Sequence, residues 1–537
     1  MGLPLIMAAI LTLVPADKRA VFRWGAMLST LASLLLAIYV FAQFDAVLAA
    51  SQDSVDTQGS AFATLEKEYG YAFTQRAPWI DSLNISFHVG VDGIGVVMVL
   101  MASIVAFAAA CCAGEIKARE KEFTILLLLM VGGILGAFMS LDVFQMYFLH
   151  ELALVPTFIM IGVWGRGKNR DYAAYKITLY LSLGALIALA GLILLYMEFE
   201  TFSLLGMLDH LHTQQISTGK QNLIFALLMF GLGILVSLWP FHTWAPLGYG
   251  AAPTATAMMH AGVIKKFGLF MLIRVALPLL PEGAQTWLPV LAWLCLGNIL
   301  YCGLVAMRQK DLNQLIGNSS VAHMGFVFLG IASLTTIGLT GAVMVMFAHG
   351  LLAALAFGLS GYLYTQTRTL DMEKVGGLLK GMPFWGTAMI MALLAGCGLP
   401  GFANFAGEIT VFFGAWSIPA IELVLDFEHP SGSESMRVIL VSFASLLVLA
   451  PVCHGQGADK PAGGVLERIT FDDEGTSRTI SGRVLVKAVD GGLLVQERDG
   501  RLWTVTSETL EKRESSGTEF RPEESAALGK RLAAELD

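Results

Sequence analysis

Most of the chain is a succession of long apolar runs separated by short polar segments. A helix needs roughly 18 or more apolar residues to cross the hydrocarbon core of a bilayer. The runs predict twelve spans, at about 2–15, 22–43, 91–113, 122–141, 143–164, 173–197, 221–245, 253–278, 286–306, 312–333, 337–365 and 384–418. The pattern therefore predicts an all-α polytopic membrane protein over residues 1–420.

Two of these spans contain sequence that is incompatible with a continuous helix. Leu238–His242 interrupts the seventh span and Gly398–Gly401 interrupts the twelfth. Non-helical backbone at membrane depth survives only where protein or trapped water satisfies it. Interrupted helices at corresponding places in two halves point to transport sites in inverted-repeat proteins. We therefore predict two inverted repeats, at about residues 120–280 and 286–420.

Composition agrees with a membrane protein. The chain has 537 residues, of which 55% are hydrophobic and 14% charged, and its net charge is −8. A soluble domain has about 25% charged residues. The charge balance and the absence of a Lys/Arg-rich run argue against nucleic-acid binding. No glycine pattern sits in a setting that predicts a nucleotide site. The six cysteines form no C-x-x-C pair, and we expect buried structural thiols rather than a metal or disulfide site.

Basic residues are distributed unevenly between alternate loops. One side collects Lys18, Arg19, Arg23, Lys117, Arg119, Lys121, Arg166, Lys168, Arg170, Lys176, Arg308, Lys310, Arg368, Lys374 and Lys380. The other side has few, and its long loop at 45–90 is mildly acidic. Cytoplasmic loops of membrane proteins carry the excess of Lys and Arg. The asymmetry places the N-terminus and residue 420 of this multi-pass protein outside.

The last part of the chain has a different character. Residues 421–460 read as a linker whose apolar run, Met436–Val452, has the shape of a signal sequence or of a short thirteenth span. Residues 461–537 read as a small β-rich soluble domain. Its predicted strands are Gly482–Val486, Gly492–Gln496 and Leu502–Val505, and its predicted helix is Glu523–Leu536.

Three ionisable residues lie in the middle of the fifth and eighth spans. Glu151 is a mid-span carboxylate, and Lys265 and Lys266 are adjacent in the eighth span. An ionisable group within the membrane is costly, so it is a functional-site hypothesis by default. A structural pair with a neighbouring helix is the alternative. Consecutive helical residues point about 100° apart, so one lysine can face the bundle while the other snorkels or meets a second partner.

Further ionisable residues lie in the last three spans. His323 and His349 lie in the tenth and eleventh spans, and Glu408 follows the interruption of the twelfth. Imidazole, with a pKa near 6.5, can accept and pass on a proton, although a lone histidine on an apolar helix is often a packing residue. His260 is a less certain member. Together with Glu151 and the two lysines, these residues predict a line of proton carriers along the membrane.

Several of these residues also belong to stretches that carry a family resemblance. The stretches are His150–Pro156 with Gly162–Gly165, Pro240–Pro246, Ala252–Ala255, Ser320–Phe326, and Gly398–Gly401 through Asn404–Glu408. In this order they resemble the antiporter-like, proton-pumping subunit of NADH–quinone oxidoreductase (respiratory complex I) known as subunit M or chain 4. The resemblance covers about residues 1–420. It implies that Glu151, Lys266, His323, His349 and Glu408 carry protons, and we add Lys265 to this set.

The resemblance also implies partners and a division of labour. It implies other membrane-arm subunits of complex I as partners, lipid around the chain, and quinone reached through the complex. No cofactor is expected on this chain, while NADH, flavin and iron–sulfur clusters are expected on partner subunits. Two alternatives stay open. The chain could belong to a multi-subunit cation/proton antiporter, or it could be a non-pumping structural spacer of the membrane arm.

The chain departs from the family's pattern in two places. The family has a lysine seven residues before the histidine of the seventh span, paired with the carboxylate of the fifth, and here that position is Leu235. Residues 223–241 contain no charged side chain. We therefore expect Lys265 or Lys266 to supply the charge near Glu151. The family also continues through two further spans, whereas this chain becomes polar after about residue 420.

Overall fold

The predicted spans are present as helices. The computed structural model describes residues 1–53, 61–80, 82, 85–211, 216–416, 465–473, 476–487, 493–497, 502–505 and 509–519. Among these residues, nine helical segments are long and apolar enough to cross a membrane, and two shorter apolar helices accompany them, Gly2–Leu13 and Pro383–Gly396. The fold is therefore that of an all-α polytopic membrane protein, as predicted.

The helices follow one another in simple order. They are α1 (Gly2–Leu13), α2 (Arg19–Asp53), α3 (Ala61–Glu68), α4 (Gly93–Cys112), α5 (Glu120–Met139), α6 (Val143–Trp164), α7 (Arg170–Phe199), α8 (Leu204–His210), α9 (Thr218–Val236), α10 (Trp244–Ala251), α11 (Thr254–Met259), α12 (Lys266–Met271), α13 (Leu277–Leu279), α14 (Pro281–Leu296), α15 (Gly303–Met307), α16 (Leu312–Ala332), α17 (Thr336–Thr367), α18 (Leu378–Gly381), α19 (Pro383–Gly396) and α20 (Ala403–Ala415). Turns of π-helix join α11 to α12, α12 to α13, and α14 to α15.

Contacts between the loops sort them into two ends of the bundle. At one end, which we call the basic end, Lys121 donates to the carbonyls of Thr12 and Val14, both at 2.8 Å. At the same end the Arg166 amide donates to the Ala251 carbonyl, at 2.7 Å. The basic loops that the charge pattern assigned to one side therefore lie together, as an even number of crossings requires.

Both predicted interruptions are present. In the seventh span, α9 ends at Val236 and Ser237 adopts a left-handed φ of 79° before the chain turns into α10. In the twelfth span, α19 ends at Gly396 and α20 begins at Ala403, with Gly398 at φ 66° and Gly401 at φ 103°. Glycine adopts these left-handed angles at little steric cost, which explains the Gly-x-x-Gly spacing.

The two halves share a local structure at opposite ends of the bundle. Asp142 begins α6 and Asp311 begins α16, and each carboxylate accepts from the amide three residues later, at 3.0 Å. Each aspartate also forms an antiparallel bridge, to Ser203 and to Asp371 respectively. Each bridge joins the start of one span to the segment just after the next span, as an inverted repeat predicts.

The segment from 45 to 90, predicted as a loop, contains regular structure instead. Helix α2 continues to Asp53, α3 follows, and β1 (Ala72–Ile80) pairs antiparallel with β2 (Ile85–Val91). Strand β2 alternates polar and apolar residues too briefly to stand out beside the long apolar runs. The hairpin is anchored by buried His88, whose amide donates to Gln145 Oε1 at 2.9 Å. Burial lowers the pKa of His88, and contact with Glu66 opposes that shift.

Small residues set the distance between neighbouring helices. A Cβ on Gly231 of α9 would lie 2.4 Å from the Ala188 amide nitrogen of α7. Outward-facing Leu179, Leu183 and Leu186 of α7 remain exposed, which fits a surface covered by lipid.

The expectation of buried thiols holds for Cys295 and Cys302 but is wrong for Cys111 and Cys397, which are exposed. An apolar run in the sequence identifies a membrane-spanning helix but does not show which face of that helix contacts lipid.

The chain divides into two compact units, Met1–Ala450 and Pro451–Asp537. The described part of the second unit is β-rich, as predicted. Its strands are β3 (Val465–Asp473), β4 (Thr476–Lys487), β5 (Leu493–Glu497), β6 (Leu502–Val505) and β7 (Leu510–Glu519), in the sheet order β6-β5-β4-β3-β7. Strands β3 and β7 were not predicted. The predicted run Met436–Val452 and helix Glu523–Leu536 lie outside the described residues.

The sheet has its own apolar core and an ion pair at its surface. Ile469, Ile480 and Val495 are buried within it. Arg513 of β7 pairs with Glu467 of β3, and its hydrogen bond lowers the pKa of that carboxyl group. The contribution of this pair to stability is present at neutral pH and disappears as acid protonates Glu467, below the usual carboxyl range.

We expect Gly231→Val to destabilise the bundle, because the added side chain meets the α7 backbone. Overpacking of this kind costs about 1–3 kcal/mol or more. Thermal unfolding of the purified protein in detergent measures the effect. Gly219→Val is the matched control on the same helix, since a Cβ there meets nothing within 4 Å. Equal unfolding temperatures for the two variants would contradict the close packing of α7 against α9.

We also expect a chain that ends after Ala450 to accumulate in the membrane at the level of the full chain, because each unit has its own hydrophobic core. Quantitative immunoblotting of washed membranes, with an epitope on the N-terminus, measures this. Rapid loss of the shortened chain would show that the second unit is needed for folding or retention.

Candidate functional site

The two lysines lie at the centre of the first unit, where the eighth span departs from α-helix. The turn His260–Ile264 is π-helical, and the Lys265 amide donates to the His260 carbonyl at 3.2 Å. A π turn inserts one extra residue and is frequent at functional sites. Lys265 and Lys266 are 1% and 0% exposed, so neither side chain snorkels to the surface. They instead meet different partners on neighbouring spans.

Lys266 begins a line of ionisable side chains that come from four helices. Its Nζ lies 2.9 Å from Nδ1 of His349 on α17. The rings of His349 and His323 lie 5.1 Å apart between centroids. His323 Nε2 lies 3.5 Å from Oε1 of Glu408 on α20. The structure therefore brings together four of the six predicted site residues in one row.

His323 is held at both ring nitrogens by backbone carbonyls. Nδ1 lies 2.7 Å from the Ser319 carbonyl oxygen and Nε2 lies 3.0 Å from that of Gly396. A ring with a proton on each nitrogen can donate to both carbonyls, whereas a neutral ring can donate to only one. Loss of the proton on Nε2 therefore removes the donor of the contact with α19, whereas the contact at Nδ1 lies within α16 itself.

The interruption of the twelfth span places Glu408 beside His323. A Cβ on Gly398 would lie 2.7 Å from Glu408 Oε2, so the absence of a side chain there makes room for the carboxylate. The carbonyl group that faces His323 belongs to Gly396, the last residue of α19. The backbone freed by the interruption thus becomes part of the site.

Lys265 makes a separate set of contacts. Its Nζ donates to Ser320 Oγ at 2.7 Å and to the Ser320 carbonyl at 3.2 Å, on α16. The ammonium also lies 5.7 Å from the ring centroid of Tyr249, whose hydroxyl is 3.2 Å from Nδ1 of His260. Ser320 and Tyr249 were not predicted as site residues. Ser320 lies in the Ser-Val-Ala-His stretch, which was the available signal.

A cavity of about 100 Å³ lies beside this row of residues. Its polar lining comes from Ser319, Ser320, His323 and His349. A single water needs roughly 10–15 Å³ of such volume and two to four polar partners. The cavity therefore has room for water beside Ser320 and His323, in a lining that is otherwise mostly apolar.

Among the described residues, neither Lys265 nor Lys266 forms an ion pair within 4 Å of Glu151, the contact that we expected from one of them. Among the described residues, the only ion-pair contact of Glu151 within 4 Å is with its neighbour His150, at 3.4 Å between Oε1 and Nδ1. Leu235 is buried in the apolar core. The two lysines instead contact Ser320 on α16 and His349 on α17.

The site shows no sign of a metal centre. Within the described part of the chain, no group of three or more His, Cys, Asp or Glu side chains could hold a metal ion. A row of lysine, imidazole and carboxylate groups beside a cavity can exchange protons, since each group can gain or lose one.

These features define a class of antiporter-like membrane proteins, in which interrupted helices of two inverted halves surround a row of buried ionisable groups. The sequence profile described as NADH:quinone oxidoreductase/Mrp antiporter, transmembrane, matches residues 140–428. The chain belongs to this family, and it is a multi-pass protein of the bacterial inner membrane.

Individual relatives agree with this membership. NADH-quinone oxidoreductase subunit M of Rickettsia prowazekii (strain Madrid E) is 34% identical over 409 residues, 76% of this chain and 78% of the relative. A chain of respiratory complex I from Thermus thermophilus with bound NADH superimposes with a TM-score of 0.67 at 26% identity, covering 86% of this chain and 90% of its own. A chain of the Mrp complex from Dietzia sp. DQ12-45-1b shares the fold, with a TM-score of 0.65 at 19% identity, covering 84% of this chain and 45% of its own.

We expect His349→Leu to destabilise the bundle, because Lys266 then loses an acceptor in a fully buried position. An unsatisfied buried group costs about 1–3 kcal/mol, and more when it is charged. The double variant Lys266→Met/His349→Leu should recover much of this loss, since an apolar pair of similar size leaves no unpaired donor. Thermal unfolding in detergent completes the double-mutant cycle. Strictly additive effects would contradict the Lys266–His349 contact.

Proposed function

We propose that this chain is a proton-translocating membrane-arm subunit of an NADH–quinone oxidoreductase. The observation that carries the proposal is the unbroken row from Lys266 through His349 and His323 to Glu408. Membership of the family alone would not require these side chains to lie within contact distance. Their alignment across α12, α17, α16 and α20 gives a proton a path that runs along the membrane plane between the two inverted halves.

The proposed path works by breaking and remaking individual contacts. A proton that leaves Lys266 Nζ is accepted at Nδ1 of His349, which passes a proton to His323 through water in the cavity that both rings line. His323 then gives the proton on Nε2 to the Glu408 carboxylate. The contact of Nε2 with the Gly396 carbonyl loses its donor in that step, so transfer is coupled to movement between α16 and α19. The same cavity is lined by Ser320, which accepts from Lys265, so water there also connects Lys265 to the row.

In this function, the redox reactions take place on other chains of the complex. Partner subunits oxidise NADH and hold the flavin and the iron–sulfur clusters. Quinone is reduced elsewhere in the complex. This chain contributes protonatable groups and the helices that hold them. Other membrane-arm subunits are its partners, and purification in mild detergent with mass identification of co-purifying chains would establish which ones they are.

A non-pumping spacer is the second candidate function, and one observation favours it. Helix α9 places apolar Leu235 where the family has a lysine, so the first half lacks one expected charge.

A subunit of a cation/proton antiporter shares the fold as well. Proton transport that depends on added Na⁺ but not on NADH would favour the antiporter.

We expect Glu408→Gln and Glu151→Gln each to reduce NADH-driven acidification of inverted membrane vesicles, with the assembled complex at its normal level. The amide keeps the size of the side chain but cannot take up a proton. The pH gradient is measured by quenching of a permeant dye and is divided by the rate of NADH oxidation.

Glu373→Gln provides the matched control. That carboxylate pairs with Lys310 at the surface, where the two side chains are 66% and 73% exposed, and its removal should leave acidification unchanged. Normal acidification in both Glu408→Gln and Glu151→Gln would sink the pumping role and leave the spacer as the better description.

A further inference from the structure

The carboxylate of Glu151 and the imidazole of its neighbour form a pair that the row from Lys266 to Glu408 does not include. We propose that His150 is the proton partner of Glu151, exchanging a proton between its Nδ1 and the Oε1 of the carboxylate. This inference deepens the proposed function and rests on it, because it adds a proton-transfer residue to the first half of the chain.

The contact is not a consequence of adjacency in the helix. Consecutive helical side chains diverge by about 100° and do not normally face each other. Here His150 Nδ1 nevertheless lies 3.4 Å from Glu151 Oε1. Among the described residues, both atoms are buried without a hydrogen-bond partner. Two complementary atoms without other partners thus lie close together but are not aligned as a hydrogen bond, and a small side-chain rotation would align them when a proton arrives.

Stacking determines the direction of the imidazole. The His150 ring lies against the Phe267 ring with centroids 4.1 Å apart and planes 13° apart. Phe267 follows Lys266 on α12, so the same short helix holds both His150 and the start of the row to Glu408. His150 is nearly fully buried, with its side chain 2% exposed, whereas Glu151 is 29% exposed. The more exposed carboxylate can thus receive a proton and the buried imidazole can take it inward.

No other charged group from the neighbouring helices competes for this position. Helix α9 has no charged residue beyond Lys220 at its start, and the charged residues of α5 and α7 lie near their ends. On α6, the Tyr147 hydroxyl already donates to the Ala185 carbonyl at 3.1 Å. The π turn contributes His260, whose Nε2 is also buried without a partner in the described chain. The remaining cations facing this region, Lys265 and Lys266, are held by Ser320 and His349.

The proposed step conserves atoms and charge. The O–H bond of protonated Glu151 breaks and an N–H bond forms at Nδ1 of His150, which converts a neutral acid and base into a carboxylate–imidazolium pair. The reverse step restores the neutral pair. His150 thereby supplies, transiently, the positive charge that no side chain of α9 can provide.

The test uses the complete complex in inverted membrane vesicles and the variants His150→Asn and His150→Lys. Asparagine keeps a polar atom near the Nδ1 position but cannot accept a proton. We expect it to lose at least half of the acidification per NADH oxidised, at unchanged complex abundance. Lysine keeps a basic group, so we expect it to retain more acidification than asparagine does.

The pH profile separates proton transfer from a merely structural role. A lysine ammonium keeps its proton to higher pH than an imidazolium does. The alkaline decline of transport should therefore move to higher pH in His150→Lys and should not do so in His150→Asn. A structural role would lower transport at every pH without moving the profile.

Glu151→Gln distinguishes failure of this inference from failure of the proposed function. If Glu151→Gln loses acidification while His150→Asn matches the wild type in rate and pH profile, His150 is not the proton partner and the function stands. If both variants pump normally, the pumping role itself fails at this position. Should His150→Lys fail to assemble, the comparison of His150→Asn with Glu151→Gln still decides between these outcomes.

Discussion

The contact between the buried amine of Lys266 and Nδ1 of His349 is the interaction around which the rest of the first unit is arranged. A cationic side chain in the middle of a bilayer has no water to solvate it, so it must find acceptors within the protein. Lys266 finds them in His349 and in the Ala261 carbonyl of its own helix, at 2.5 Å. That requirement brings the eighth and eleventh spans together. The π turn before Lys265 lets the adjacent lysine reach a different span.

The two interrupted helices serve the same requirement. A continuous helix satisfies its own carbonyl groups and has none to offer, whereas a helix that ends within the membrane exposes its last carbonyls. His323 uses the Gly396 carbonyl in this way, and Gly398 leaves room for Glu408. The interruption therefore does more than bend the chain. It supplies an acceptor and a space at the point where the row of ionisable groups ends.

The first half of the bundle is built differently from what its family resemblance implies. With Leu235 packed in the apolar core, α9 brings no charge to the middle of the membrane, and the lysines of the eighth span are engaged with the second half. Glu151 is left with His150, a partner from its own helix. Glu151 thus has a protonatable neighbour on its own helix, although α9 brings no cation to the middle of the bundle.

The sequence by itself determined the membrane class, the order of the spans, both interruptions and the six ionisable candidates, because length, hydropathy and helix-breaking residues are local properties of the chain. It also located the β-rich C-terminal part. It did not predict strands β3 and β7, because charged residues in them obscure the alternation of polar and apolar positions that marks a strand. Only the tertiary structure decided which candidates touch. The partners of Lys265 and Lys266 lie 55 and 83 residues away along the chain, and a side chain's direction around a helix is fixed by packing. For the same physical reason, the pairing of Glu151 with His150 rather than with a lysine could not be obtained from the order of residues.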